Sequence, residues 1–216
     1  MASLPIGRLV GTPRRRAILL GALVVVFALV AGYLGGLITS RNDHPGDNSP
    51  EAGFARDMST HHSQAVEMAM VAWQRSTDPE IQQLAYDIAT VQSNQIGIMQ
   101  TWLKDWGLSP TSTRPKMAWM PDGATELQPD GLMPGMATTD QIDQLRHLSG
   151  SALDVLFCQL MLRHHLGGIH MAETIVKLSH EKQVTDLATT MMNNQQFEVT
   201  NLRAKLDKLG AQPLAQ

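Results

Sequence analysis

Phe54-Ala55-Arg56-Asp57-Met58-Ser59-Thr60-His61-His62-Ser63-Gln64-Ala65-Val66-Glu67-Met68-Ala69 returns 103 residues later as Phe157-Cys158-Gln159-Leu160-Met161-Leu162-Arg163-His164-His165-Leu166-Gly167-Gly168-Ile169-His170-Met171-Ala172. The phenylalanine, the first methionine, both histidines, the second methionine and the final alanine coincide. The register holds downstream, where Leu84-Ala85 aligns with Leu187-Ala188, Gln92 with Gln195 and Ile96 with Val199. A repeat that keeps one offset through a motif and the segment after it reads as a duplicated structural unit.

Within each copy the apolar positions recur at three and four residues, the period of a helix with one buried face. Phe54, Met58, His61, Ala65, Met68 and Ala72 carry that face to about Arg75. Asp78-Pro79 then offers a cap and a first-turn proline for a second helix, which runs to about Trp106 and stops at Gly107. The second copy repeats this from about Ala152 to Leu178 and on to Leu209, where Gly210 follows. Thr139-Asp140 is expected to cap a short helix before it. Between the copies lies a stretch rich in proline and glycine that also holds Met117, Met120, Met133 and Met136. Core filling under a long loop accounts for these methionines, with soft-metal capture as the alternative. The expected fold is all-α: a ferritin-like four-helix bundle built from two duplicated helical hairpins, preceded by an N-terminal transmembrane helix.

Residues 17–38 carry no charged side chain, and Arg14, Arg15 and Arg16 stand directly before them. Such a stretch is long enough to span a bilayer, and the arginines place the N-terminus in the cytoplasm. The chain therefore divides into a cytoplasmic basic segment (1–16), a transmembrane signal anchor (17–38), a linker (39–50) and a duplicated four-helix domain (51–209). The domain comprises a first hairpin (51–107), a Met/Pro/Gly-rich crossover (108–150) and a second hairpin (151–209). The expected location is the cell membrane, single-pass, with the C-terminal domain outside the cytoplasm; a cleaved, secreted form is the alternative. Beyond residue 38 the chain has 13 Lys and Arg against 20 Asp and Glu, a net charge of −7. An acidic domain without a basic stripe argues against a nucleic-acid partner. The lone Cys158 precludes an intramolecular disulfide and fits a small core position.

Helical geometry places Met58, His61, Ala65 and Met68 in one row, with His62 over Met58; Met161, His164, Gly168 and Met171 form the second row, with His165 over Met161. Each row presents imidazoles flanked by thioethers. Together they suit copper, and the thioether suits Cu(I) in particular, whereas zinc gains little from methionine. Candidate metal ligands are thus Met58, His61, His62, Met68, Met161, His164, His165 and Met171. Glu67 and His170, which are equivalent by the repeat, would join them only if they face inward. Gln92 and Gln195 are expected to hydrogen-bond across the bundle. No Glu-x-x-His pair supports a di-iron cage, and no His-Glu-x-x-His, Cys-x-x-Cys, phosphate loop or Gly-x-Ser-x-Gly is present. No catalytic residue can be named.

The motif Phe-x-x-x-Met-x-x-His-His-x-x-Ala-x-x-Met-Ala at residues 54–69, its copy at 157–172, and Gly131-Leu132-Met133-Pro134-Gly135-Met136-Ala137 resemble the bacterial domain-of-unknown-function family 305. The resemblance covers residues 50–209. It implies a ferritin-like, exported helical protein in a family that includes periplasmic copper-binding proteins, and its candidate metal positions are the eight residues named above. Gln95 stands where the family has a glutamate, Glu198 keeps that glutamate, and Gly168 replaces an alanine. The leading expectation is an exported metal-binding protein that buffers or sequesters copper. The alternatives are a structural or partner-interaction module of the cell envelope and a metal-dependent oxidoreductase. Expected partners are the cytoplasmic membrane, through residues 17–38, and a metal ion; a homo-oligomer or an envelope protein partner stays open.

Overall fold

Side-chain capping sets where three of the helices after residue 44 begin. The computed structural model describes residues 12–39 and 44–214, and among these every regular element is helical. Helix α1 (Pro13–Thr39) belongs to a separate unit. Its span Pro13–Gly36 has a mean hydropathy of 2.7, and its apolar side chains, Phe27 and Leu29 among them, are exposed. That is the surface of a helix long and apolar enough to cross a membrane. Most of the basic segment 1–16, and positions 40–43 of the linker, lie outside the described residues.

Helix α2 (Pro50–Arg75) starts where Ser49 Oγ accepts the Ala52 amide at 3.2 Å, with Pro50 in the first turn. Helix α3 (Pro79–Asp105) starts where Asp78 Oδ1 accepts from Glu80 and Ile81. In each case the side-chain oxygen satisfies an amide that has no partner within the helix. Gly107, at φ +69°, ends the hairpin in the left-handed conformation that glycine adopts without steric cost. A four-residue helix α4 (Gly123–Glu126) interrupts the crossover; no periodicity announced it. Helix α5 (Thr139–His147) is capped by Thr138, not Thr139, because Thr138 and Gln141 form a reciprocal capping box. Helices α6 (Gly150–Leu178) and α7 (Lys182–Lys208) make the second hairpin. Lys205 Nζ ties the end of α7 to the start of α3, reaching Asp78 at 2.6 Å and Glu80 at 2.9 Å.

The two hairpins join mainly through α2 and α6. One apolar cluster holds Ala65, Met68, Ala72, Ile81, Ile88, Phe157, Met161, Val199 and Leu202. The other holds Phe54, Met58, Met99, Trp102, Met171, Ile175, Val184 and Met191, together with Met117, Met120, Met133 and Met136 from the crossover. The N-terminal half of α2 therefore packs with the C-terminal half of α6, so the two helices run antiparallel. On all four long helices a polar band lies between the two clusters: His61 and His62, Gln92 and Gln95, His164 and His165, Gln195 and Glu198. The core is two apolar plugs with a polar layer at mid-height. The four crossover methionines fill one plug, as the core-filling reading expects, and Cys158 is buried in the other.

Candidate metal centre

All eight candidate ligands are fully buried. The antiparallel packing brings the two rows together, with the rings of His61 and His164 3.8 Å apart between centroids and tilted by 37°. Met58 and Met171 flank this pair on one side, in the crossover cluster, and Met68 and Met161 on the other. Helical spacing could assign each residue to a row but could not say whether the rows meet; the contact between His61 and His164 shows that they do.

Three of the four imidazoles are held by one nitrogen. His61 Nε2 lies 3.0 Å from the Pro134 carbonyl oxygen, His62 Nε2 lies 2.8 Å from Gln95 Oε1, and His165 Nε2 lies 2.6 Å from Glu198 Oε2. Each partner oxygen accepts, so each Nε2 carries a proton, and on a neutral ring Nδ1 is then left as the lone-pair donor. Those three Nδ1 atoms are buried without a hydrogen-bond partner, as are both ring nitrogens of His164. His164 approaches the His61 backbone without reaching hydrogen-bond geometry. Leaving a buried polar atom unpaired costs about 1–3 kcal/mol, and here five such nitrogens share one layer.

Burial also favours the neutral form of His61, His62 and His164. Desolvation lowers the pKa of His61 to about 4, against a partial rise from its Pro134 bond. Desolvation and the neighbouring His61 lower His62 to about 3. His164 is driven well below the ordinary range by desolvation and by the other three histidines. A neutral imidazole with a fixed N–H on one side and a lone pair on the other is the ligand form of histidine. The donor set therefore suits a soft or borderline cation in kind. Among the described residues, no three His, Cys, Asp or Glu side chains are gathered ready to hold a metal, so thioethers would have to complete the set.

Other expectations change. Gln92 does not bond across the bundle: both of its amide atoms are buried without partners, as is Gln195 Nε2. The Gln195 side chain lies against Gly168, where an added β-carbon would come within 2.5 Å of Oε1. Glu67 and His170 do not face inward. Glu67 pairs with Arg146, and His170 Nε2 pairs with Glu126 Oε2 at 2.9 Å, on half-exposed surfaces.

The Pro134 carbonyl is a contributor that no side-chain motif could announce. A strap formed by residues 133–137 is clamped across α2 and α6. Gln64 brackets Ala137 by donating to its carbonyl and accepting its amide, at 2.9 and 2.7 Å. Gln128 Nε2 donates to the Met133 and Met136 carbonyls, and Arg163 to the Met136 carbonyl. The strap lies so close to α6 that a β-carbon on Gly167 would collide with the Pro134 carbonyl, and one on Gly135 with the Arg163 carbonyl. Further up the crossover, Asp57 Oδ2 accepts from the Met117 amide and from Trp119 Nε1 at 2.8 and 2.9 Å. Burial raises the Asp57 pKa, with these two bonds acting against the rise.

Residues 51–206 match the family described as Domain of unknown function (DUF305). The chain belongs to this family. A DUF305 protein of Streptomyces coelicolor, described as secreted, is 40% identical and superposes with a TM-score of 0.73, over 79% of this chain and all of that one. A DUF305 fragment from Deinococcus radiodurans is 28% identical, with a TM-score of 0.61, over 74% of this chain and 96% of its own. CopM in its Cu(II)-bound form is 25% identical, with a TM-score of 0.57, over 74% of this chain and 97% of its own. No curated protein matches the chain.

Proposed function

We propose that this DUF305 protein binds copper between its two His/Met rows and serves to buffer or sequester it outside the cytoplasm. The observation that carries this reading is the set of five unpartnered imidazole nitrogens in one buried layer, three of them on rings whose other nitrogen is already tied. A purely structural polar layer would be expected to satisfy its own hydrogen bonds. His61, His62, His164 and His165 would supply nitrogen donors, and Met58, Met68, Met161 and Met171 would supply thioethers. That mixture favours copper, and Cu(I) most, over zinc. CopM, a member of the same structural group, is seen in Cu(I)-, Cu(II)- and Ag-bound forms.

The apolar helix α1 supports a proposed arrangement in the cell. Residues 1–16 stay in the cytoplasm, residues 17–38 remain as an anchor, and residues 39–50 link them to a ferritin-like domain at residues 51–209 on the far side. Extraction of membranes with alkaline carbonate tests it: a retained anchor keeps the chain in the pellet, and a cleaved signal releases a shorter chain.

The binding reading is tested by anaerobic Cu(I) titration of the full chain in detergent, against a competing chelator. Tight uptake is expected. Replacing His61, His62, His164 and His165 by leucine, with helicity checked by circular dichroism, should abolish the tightest site. Absence of uptake, or uptake unchanged in the folded variant, would overturn the proposal.

A further inference from the structure

We infer that metal reaches the buried histidines through a cleft beside α6, where His170 and Glu126 capture it and the strap at Pro134–Gly135 is the gate. This rests on the binding reading above and adds the route. The cleft has a volume of about 460 Å³, and its walls include Glu126, Pro134, Gly135, Arg163, Gly167 and His170. It shares Pro134, Gly135 and Gly167 with the contact between the strap and α6 beside the histidine layer.

Three observations converge on it. Pro134 links the cleft to the layer: it lines the cleft, and its carbonyl oxygen is bonded to His61 Nε2. Moving that peptide would both open the cleft toward the layer and release the His61 ring. The rim carries a paired imidazole and carboxylate, His170 and Glu126, which are 49% and 28% exposed and therefore reachable from solvent. Both are metal-ligating groups, and they sit on α6 and α4, the two helices that frame the opening. Finally, the repeat shows that the imidazole is particular to this side. The equivalent position in the first copy is Glu67, which pairs with Arg146 on α5. Arg163, the cationic group in the wall, has one guanidinium nitrogen engaged with the Met136 carbonyl and Gln141, at the other end of the strap.

The contact at Gly167 makes the gate adjustable. With no β-carbon there, the Pro134 carbonyl can rest against α6. Any larger side chain must lift the strap.

Stopped-flow transfer of Cu(I) from its bicinchoninate complex to the full chain in detergent, under anaerobic conditions, tests the route through the loss of chelator colour. Replacing Glu126 and His170 together by glutamine should slow transfer on the order of tenfold and leave the final amount bound unchanged. Gly167→Ala should speed transfer by a similar factor and shift the imidazole NMR signals of His61. If Gly167→Ala does not fold, Gln64→Leu, which frees Ala137 from α2, should show the same acceleration. Rates within twofold of the parent for both the rim and the strap variants, in a chain that still loads Cu(I), would overturn the route alone. A parent chain that takes up no Cu(I) would overturn the route and the binding reading together.

Discussion

The two hairpins are the same device built twice with different electronics. In both, the second histidine of the pair reaches a side chain 33 residues further along the chain, His62 to Gln95 and His165 to Glu198. The geometry of the tether is thus preserved while its charge is not. An amide accepting from Nε2 orients the ring; a carboxylate orients it and also pushes electron density toward Nδ1, making a stronger donor. The neighbouring small residue differs too: Ala65 in the first copy, and Gly168, which admits the Gln195 side chain, in the second. The duplicated halves therefore teach that position is held by helix packing, whereas donor strength is set by one residue on the next helix. The second half should be the stronger side of the site.

The largest test removes the condition both halves share, which is neutrality. His61 and His62 have folded-state pKa values near 4 and 3, and His164 is also lowered, all below the ordinary value of 6.5. An unfolded chain binds these protons first. The stability at neutral pH is fully present above about pH 6.5 and falls as pH drops through the window from 6.5 toward the folded values. The slope is about 1.4 kcal/mol per pH unit for each histidine. Urea unfolding of the metal-free chain at pH 7.5, 6 and 5 should show a loss of several kcal/mol, on the order of that slope times three histidines. A curve flat over this range would mean that the layer is open to water. His62→Leu should make the curve shallower.

The next test makes the halves alike. Glu198→Gln gives the second hairpin the tether of the first, and Cu(I) affinity should fall by roughly 10–100-fold. Gln95→Glu does the reverse, and affinity should rise. Competition titration reads both. Equal affinities in parent and Glu198→Gln would remove the asymmetry from the account.

How much of this was legible before the structure depends on what kind of contact is involved. His61, His62, His164 and His165 announced themselves because helices impose a period, and a duplicated period is hard to miss. The same logic placed Met58 in register with Met161 and Met68 with Met171, and Asp78-Pro79 announced the start of α3. The Pro134 carbonyl was invisible because a backbone atom has no sequence signature, and the crossover around it has no period to extend. Thr138 was mistaken for its neighbour because two adjacent threonines can each cap, and only the reach of Gln141 decides between them. Gln92 was expected to find a partner because buried amides ordinarily do. Its two amide atoms instead stay unpartnered, beside the unpartnered imidazole nitrogens of the same layer.

A smaller change separates packing from chemistry. Gly168→Ala would restore the residue of the first copy, but its β-carbon would press on the Gln195 amide, a flexible side-chain end. The cost should be about 1–2 kcal/mol in unfolding free energy, with the His165–Glu198 tether intact. Thermal unfolding together with Cu(I) titration distinguishes the outcomes. Lost stability with unchanged affinity leaves Gln195 as packing. Lost affinity without lost stability would make Gln195 part of the site.

The smallest effect is expected where the halves differ most visibly. Glu67 and His170 occupy equivalent positions, yet Glu67 meets Arg146 on a surface where the two side chains are 41% and 50% exposed. Water screens such a pair, and Arg146 keeps its second partner, Asp143, at 2.9 Å. Helix α5 is fixed independently by its capping box and by the buried Ile142 and Leu145. Glu67→Ala should therefore change unfolding free energy by no more than about 0.5 kcal/mol and leave Cu(I) uptake and its rate as they are. A slower uptake in this variant would place a second port on the first hairpin. The two halves would then be symmetric in access even though they are unequal in donor strength.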